Sequence, residues 1–459
     1  MSGEQQTSGV RIGFYGGVGT VTGANFLLES PKVKILVDCG LLQGQRVCSA
    51  ENSNPFPYDL ASIKALVVTH AHIDHIGRIP KLVKDGFSGT IYSTPETKKL
   101  AEVMLPDAAR LIMQEAAECG LPPPYTADDI APIFSHWETI PYYATIQMGD
   151  FLLKLQNAGH ILGSAMAEFV HPGVGKILFT GDIGNSPSLL LKDTDAVEDV
   201  NYLVMESVYG DRVHEVVENR LGQLEDVIER TLARNGTLLI PTFSIERTQN
   251  ILYEINMLVE KDRIPDVPVF LDSPLAQKVT EIYRASKSEY NASVQKVINK
   301  GDDIFAFKGL QIISSEEESR KIHETPGPKI IIAGSGMSVG GRIISHEQYY
   351  ITDPNNTILI VGYQAPGGLG RQLVDGVKEI TINKEVLPVK ARIVSVSGYS
   401  GHRDVNGLVD FVNATNVSIK RAFVVMGEPK SSQFFAQRLR DFFGIDAIVP
   451  NPGDVIDLQ

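Results

Sequence analysis

Short apolar runs recur along the chain, and each gives way at once to a polar residue or a glycine turn. Ile35-Leu36-Val37 runs into Asp38, Leu66-Val67-Val68 into His70, and Phe151 to Leu155 into Gly159-His160. Ile177-Leu178-Phe179 leads to Thr180-Gly181-Asp182, Leu203-Val204-Met205 to Glu206, and Ile393-Val394-Ser395-Val396 to Gly401-His402. Runs of this length and β-branched content predict buried strands. Their polar successors predict a rim built from strand carboxyl ends, where layered α/β folds place their ligands.

Helical patterns lie between some of these runs, at Thr97 to Cys119, Val213 to Asn235 and Glu246 to Leu258, each opening near Ser, Thr or Asp. In the middle of the chain, runs at Thr237 to Pro241, Val267 to Asp272, Lys329 to Ala333 and Thr357 to Val361 alternate with helical or loop segments. That cadence predicts a parallel α/β sheet. Asp302 to Glu318 reads as a polar connector. The pattern as a whole predicts a first domain over 1–206, a second inserted over 207–387, and a return to the first over 388–459.

Composition narrows the class. Hydrophobic residues make up 43% and charged residues 21%, ordinary values for a globular chain with a sizeable core. No apolar run approaches the roughly 18 residues that a membrane span needs, and the opening MSGEQQTSGVRIGF has no signal-peptide pattern. Cytoplasmic residence, with no membrane association, is the expectation. Cys39, Cys48 and Cys119 neither pair evenly nor show zinc-ribbon spacing, so reduced thiols are expected. The net charge of −13 argues against a protein that coats nucleic acid by bulk positive charge. It leaves room for a nucleic-acid enzyme, because bound divalent cations supply positive charge that a residue count omits.

The densest chemistry is Thr69-His70-Ala71-His72-Ile73-Asp74-His75-Ile76-Gly77, which holds three of the chain's ten histidines. Imidazole and carboxylate are the ligands of choice for zinc and similar divalent ions. The spacing implies two ions: His70 and His72, two apart at a strand end, face one way, while Asp74 and His75 lie past the turn. Four neighbouring residues cannot complete two coordination shells. His160 and Asp182, each in a glycine-bounded turn after a strand, are the expected remaining ligands. The assignment gives His70, His72, His160 and Asp182 to one ion and Asp74, His75 and Asp182 to the other, with Asp182 bridging. Asp38, at a strand end on the same rim, is expected either to support a ligand imidazole or the attacking water or to be a plain turn aspartate.

These residues resemble the metallo-β-lactamase superfamily signature, and Asp38 falls where that superfamily has its first motif. The resemblance is closer to the β-CASP nucleic-acid-processing branch. It is carried by Glu206-Ser207-Val208-Tyr209-Gly210-Asp211-Arg212, Gly334-Ser335-Gly336-Met337-Ser338-Val339-Gly340-Gly341-Arg342, Gly362 to Arg371, and Ser397-Gly398-Tyr399-Ser400-Gly401-His402. The fold it implies is α/β: a metallo-β-lactamase αββα sandwich carrying an inserted parallel α/β β-CASP domain. The activity it implies is hydrolysis of single-stranded RNA, endonucleolytic or 5′-3′ exonucleolytic, by a water activated between two zinc ions. In that resemblance His402 contacts the scissile phosphate and helps protonate the leaving oxygen, a task suited to imidazole near neutrality. Glu206 orients it. The catalytic set is then Asp38, Asp74, Asp182, Glu206 and His402.

One position departs from the pattern. The branch has a histidine before its last Gly-Glu, and this chain has Met426 before Gly427-Glu428. A thioether is a poor zinc ligand, so the second ion is expected to bind more weakly or to be manganese. Substrate contacts are expected from the inserted domain: Ser335 and Gly336 through backbone amides, and Arg247, Arg342 and Arg371 through guanidinium forks on phosphate. His136, His171, His323 and His346 read as structural, His346 being the nearest to an exception. Three other readings stand beside RNA cleavage: a DNA-acting nuclease of the same branch, a small-molecule thioester or lactone hydrolase, and an RNA-binding scaffold with an impaired metal site. A small-molecule hydrolase has no need of the inserted domain. Protein partners or a homo-oligomer are left open.

Overall fold

The structure, a computed structural model, describes residues 9–43, 50–214, 220–362, 364, 367–415 and 418–459. Cys48 and, within the Gly362–Arg371 motif, Tyr363, Ala365 and Pro366 lie outside them. The chain forms two compact units, one of residues 1–213 with 402–459 and the other of residues 214–401.

The first unit is built on two seven-stranded sheets. One runs in the order Val455–Asp457, Arg11–Gly16, Asn25–Glu29, Lys34–Val37, Ala65–Val67, Thr90–Ser93, Trp137–Thr139. The other runs Asp446–Ile448, Arg421–Val425, Val200–Glu206, Gly175–Phe179, Ala165–His171, Phe151–Asn157, Thr145–Met148. Their strands are apolar on the faces turned together, and Ile12, Phe14, Phe26, Val37, Phe151, Phe169, Phe179 and Phe423 form one buried cluster. The second sheet's other face packs Met166, Leu178, Leu203 and Val424 against Leu408, Phe411, Phe435 and Leu439 from the helices Val405–Thr415 and Pro429–Phe443. This is the αββα sandwich expected of the sequence. Arg421–Val425 pairs in parallel with Val200–Glu206, so the last part of the chain completes the sheet begun by the first.

The second unit holds a six-stranded sheet in the order Leu310–Ile312, Val269–Asp272, Lys329–Ala333, Thr237–Pro241, Thr357–Ile360, Arg392–Ser395, with every pairing parallel. Parallel strands are buried on both faces, which is why these segments read as unbroken apolar runs. The strand Arg392–Ser395 pairs with Thr357–Ile360 and therefore belongs to this sheet, not to the rim of the first unit. For the same reason the chain returns to the first unit at His402, beyond residue 388. The segment read as a polar connector carries the edge strand Leu310–Ile312, too short for a hydrophobic pattern to disclose. No helix among the described residues is long and apolar enough to cross a membrane. Cys39 is a buried free thiol, whereas Cys119 is disulfide-bonded and not reduced as expected.

Candidate metal centre

Every polar residue that closes an apolar run in the first unit sits just past a strand's carboxyl end. Asp38 follows Lys34–Val37, His70 follows Ala65–Val67, His160 follows Phe151–Asn157, Asp182 follows Gly175–Phe179, and Glu206 ends Val200–Glu206. Tight turns bring them inward. Gly159 (φ 67°) and Gly181 (φ 53°) adopt the left-handed backbone that glycine alone takes freely. A Cβ on Gly181 would lie 2.7 Å from the Thr69 side chain.

Four donor atoms converge. His70 Nε2 lies 3.1 Å from His72 Nδ1, His160 Nε2 lies 3.2 Å from the same atom, and Asp182 Oδ2 lies 3.4 Å from His70 Nε2 and 3.5 Å from His160 Nε2. Zinc–nitrogen arms of about 2.0–2.1 Å in a tetrahedron have edges of about 3.3–3.4 Å, so the donor set fits that ion. His70, His160 and Asp182 are buried. Burial first, and then neighbouring imidazole charge, lowers the pKa of His70 and drives those of His72 and His160 well down. Neutral imidazoles are the form that ligates metal.

A second group comprises Asp74, His75 and Asp182. His75 Nε2 stands 3.4 Å from Asp182 Oδ1 and 3.9 Å from Asp74 Oδ2. His75 Nε2 and Asp182 Oδ1 are buried and have no hydrogen-bond partner. Buried orphan donors and acceptors are costly, and a cation between these two satisfies both. Burial disfavours the charged form of His75, but the carboxylates of Asp182 and Asp38 outweigh it and raise its pKa well above the usual value. Burial raises the pKa of Asp74, whereas the surrounding imidazoles overcome burial at Asp182 and hold its carboxyl well below the usual range.

The ring orientations are set from behind. His75 Nδ1 donates to Asp38 Oδ2 at 2.7 Å, and Asp38 also accepts from the Thr69 amide and hydroxyl, both at 2.8 Å. Because the Thr69 hydroxyl proton goes to Asp38, its oxygen accepts from His70 Nδ1 at 3.1 Å. Each ring, with Nδ1 engaged from behind, thereby turns its Nε2 toward the donor groups as the atom available to a metal. Asp38 itself has φ 59°. Thr69 is a participant that sequence reasoning passed over, although its place directly before His70 was the available signal.

His402 and Glu206 meet in the same unit. His402 Nδ1 lies 3.1 and 3.2 Å from the two Glu206 oxygens and 3.9 Å from Asp182 Oδ2, and Glu206 Oε1 accepts from the Ile183 amide at 2.6 Å. Burial raises the Glu206 pKa against the opposing pull of His402. His402 also forms a bridge with Gly184 in the turn after Asp182. Met426, at the position of the missing histidine, is buried in the inter-sheet core with φ 46°, its amide donating to the Gly17 carbonyl at 2.6 Å and its sulfur against Gly17.

The residues expected to grip substrate lie in the second unit and are differently engaged. Arg342 binds Asp272 and the carbonyls of Ile313 and Ser314, while His346 Nε2 bonds the same carboxylate at 2.8 Å and its Nδ1 meets His323 Nε2 at 2.9 Å. This buried network was not visible in the sequence, because its members are far apart in the chain. Arg371 pairs with Asp375 at 3.0 Å, and Arg247 with Glu246 at 3.1 Å. The Ser335 amide donates to the Gly340 carbonyl and its hydroxyl accepts from the Val339 amide, so the loop's own turn uses that amide. Gly336 offers its carbonyl to Gln364.

Comparison with known proteins agrees with this architecture. Residues 18–209 match the metallo-β-lactamase superfamily, residues 248–373 the Beta-Casp domain, and residues 386–450 the Zn-dependent metallo-hydrolase RNA specificity domain. The chain is 34% identical to Ribonuclease TTHA0252 of Thermus thermophilus, over 91% of this chain and 93% of that protein. It is 32% identical to transcription termination factor FttA of Methanosarcina mazei, over 92% of this chain and 67% of the relative, and 30% identical to its namesake in Methanocaldococcus jannaschii, over 98% and 72%. A crystal structure of a protein of unknown function from Enterococcus faecalis superposes with a TM-score of 0.56 at 12% identity, covering 98% of this chain and 100% of the other, a likeness of fold alone.

Proposed function

Because this chain belongs to the metallo-β-lactamase superfamily, in its β-CASP branch of RNA-processing nucleases, and is a zinc-dependent hydrolase, we propose that it cuts phosphodiester bonds of single-stranded RNA at a two-ion centre. The observation that carries the reading is the pair of facing donor sets that share Asp182, with His75 Nε2 and Asp182 Oδ1 otherwise orphaned. His70, His72, His160 and Asp182 would hold the first ion; Asp74, His75 and Asp182 would hold the second. Bound there, divalent ions would bring a water's pKa toward neutrality and offset charge on the phosphate oxygens.

The chain's own groups do the rest. Asp38 and Thr69 keep the imidazoles of His75 and His70 in the ligating tautomer. Glu206 holds His402 through Nδ1, so the proton passed to the leaving oxygen is assigned to Nε2. The second ion is the weaker, since its site offers one donor fewer and Met426 is committed to the core. The test is incubation of the purified chain with 5′-labelled RNA and single-stranded DNA of one sequence, with zinc, with manganese and with chelator. RNA cleavage that chelator stops and zinc restores supports the reading, and product lengths show whether cuts are internal or begin at the 5′ end. His72→Ala is expected to lower cleavage by at least about a thousandfold while the chain stays folded; unchanged turnover contradicts the assignment.

A further inference from the structure

The parallel sheet of residues 214–401 ends on the strand Arg392–Ser395, which among the described residues is paired on one side only. The amides of Arg392 and Val396 point inward, donating to the carbonyls of Asn356 and Ile360 at 3.0 Å. By strand alternation the amides and carbonyls of Ile393 and Ser395 point out of the sheet. Such an edge is a template for one more strand.

The two faces beside this edge differ in chemistry. On one, a cavity of ≈ 270 Å³ is lined by the apolar side chains of Leu373, Val377, Val389, Ala391 and Ile393 together with Lys378 and Ser395. On the other, Arg234 Nη2 donates to Thr357 Oγ1 at 3.1 Å, and Thr357 stands in register with Arg392, so both guanidiniums share that face. Arg234 Nε is buried without a hydrogen-bond partner. Its pKa is lowered, first by burial and then by the charge of Arg392. A lone arginine on an edge strand reads as a guard against unwanted pairing. A second one held beside it, on a chain of net charge −13, is not explained that way and calls for an anion.

We propose that the outer edge of Arg392–Ser395 docks an extended segment of a partner protein in which acidic and apolar residues alternate. Added as a strand, such a segment sends alternate side chains to opposite faces: the apolar ones into the Leu373–Ile393 cavity, the acidic ones to Arg234 and Arg392. RNA could satisfy the arginines, but it would use neither the outward amides nor the apolar side chains of the cavity.

The experiment uses the full chain and a labelled short peptide alternating Glu with Leu, followed by fluorescence anisotropy, beside a peptide of identical composition with its Glu residues in one block. Ser395→Pro removes an outward donor and leaves the bonds to Thr357–Ile360; Arg392→Glu reverses an exposed charge. The alternating peptide is expected to bind saturably, each variant to weaken it at least about tenfold, and amide exchange at Ile393 and Ser395 to slow on binding, with RNA cleavage retained. Should Ser395→Pro lose cleavage through misfolding, Arg392→Glu decides. Equal binding of the blocked peptide, indifference to both variants, full displacement by a short single-stranded RNA, or self-association of the chain through this edge in place of peptide binding would each overturn the proposal.

Discussion

Asp38 accepts three hydrogen bonds, and through them it orients two of the imidazoles in the metal centre. Asp38→Asn keeps the size and tolerates the left-handed backbone, but it removes the charge that holds the His75 proton on Nδ1. Affinity at the second ion is expected to fall about 10–100-fold, read from the metal dependence of RNA cleavage; an unchanged dependence would assign Asp38 to the turn alone. Glu347 gives a separate test. It is buried, bonded through Oε1 to the Ser338 hydroxyl, and burial lifts its pKa to about 7. A raised folded value means that the folded chain keeps the proton longer, so stability is lost as pH rises from the unfolded value through about 7. Glu347→Gln removes that loss. Urea denaturation is expected to show the variant gaining on the native chain, between pH 5 and pH 8.5, by on the order of 3 kcal/mol; a constant difference would refute the burial argument. At these positions the candidate ligands were legible because four of them are nearly contiguous and the rest close apolar runs. Glu347 and the Asp272–His346–His323 network were not, since long-range burial created them.

Strand ends were the most readable elements. Buried strands show as continuous apolar runs, and those at Asp38, His70, His160, Asp182 and Glu206 all lead onto the rim where the donors meet. The strand before His402 was misplaced because an apolar run reveals that it is buried, not which sheet buries it; only the pairing of Arg392–Ser395 with Thr357–Ile360 decides that. Helix limits moved for local reasons. Pro95 opens the long helix Pro95–Cys119 behind the Thr94 cap, ahead of the apolar pattern. The turn that delivers Asp182 depends on Gly181, where any side chain would be strained and would meet Thr69. Gly181→Ala is expected to cost about 1–3 kcal/mol of stability and to weaken metal binding with it. Calorimetry of the zinc-loaded and stripped chain separates the two; a variant with native melting and native zinc uptake would show that the turn has slack.

Across the molecule, the centre joins segments that the chain keeps far apart. His70 lies in the first sheet, His160, Asp182 and Glu206 at the ends of strands in the second, and His402 follows the inserted unit and is 196 residues from its Glu206 partner. A site assembled from such distant segments exists only in the folded chain, so metal should bind the folded form and raise its melting temperature in proportion to occupancy. The negative net charge gave no hint of an RNA enzyme; bound metal would supply the local positive charge that the residue count lacks. Zinc content, determined on the stripped protein as metal is titrated back and set against the RNA cleavage rate of the same samples, tests the two-ion centre. The expected result is no cleavage without metal, one tightly held equivalent, and activity that rises with a weaker second. Undiminished cleavage by protein shown to hold no metal would contradict it.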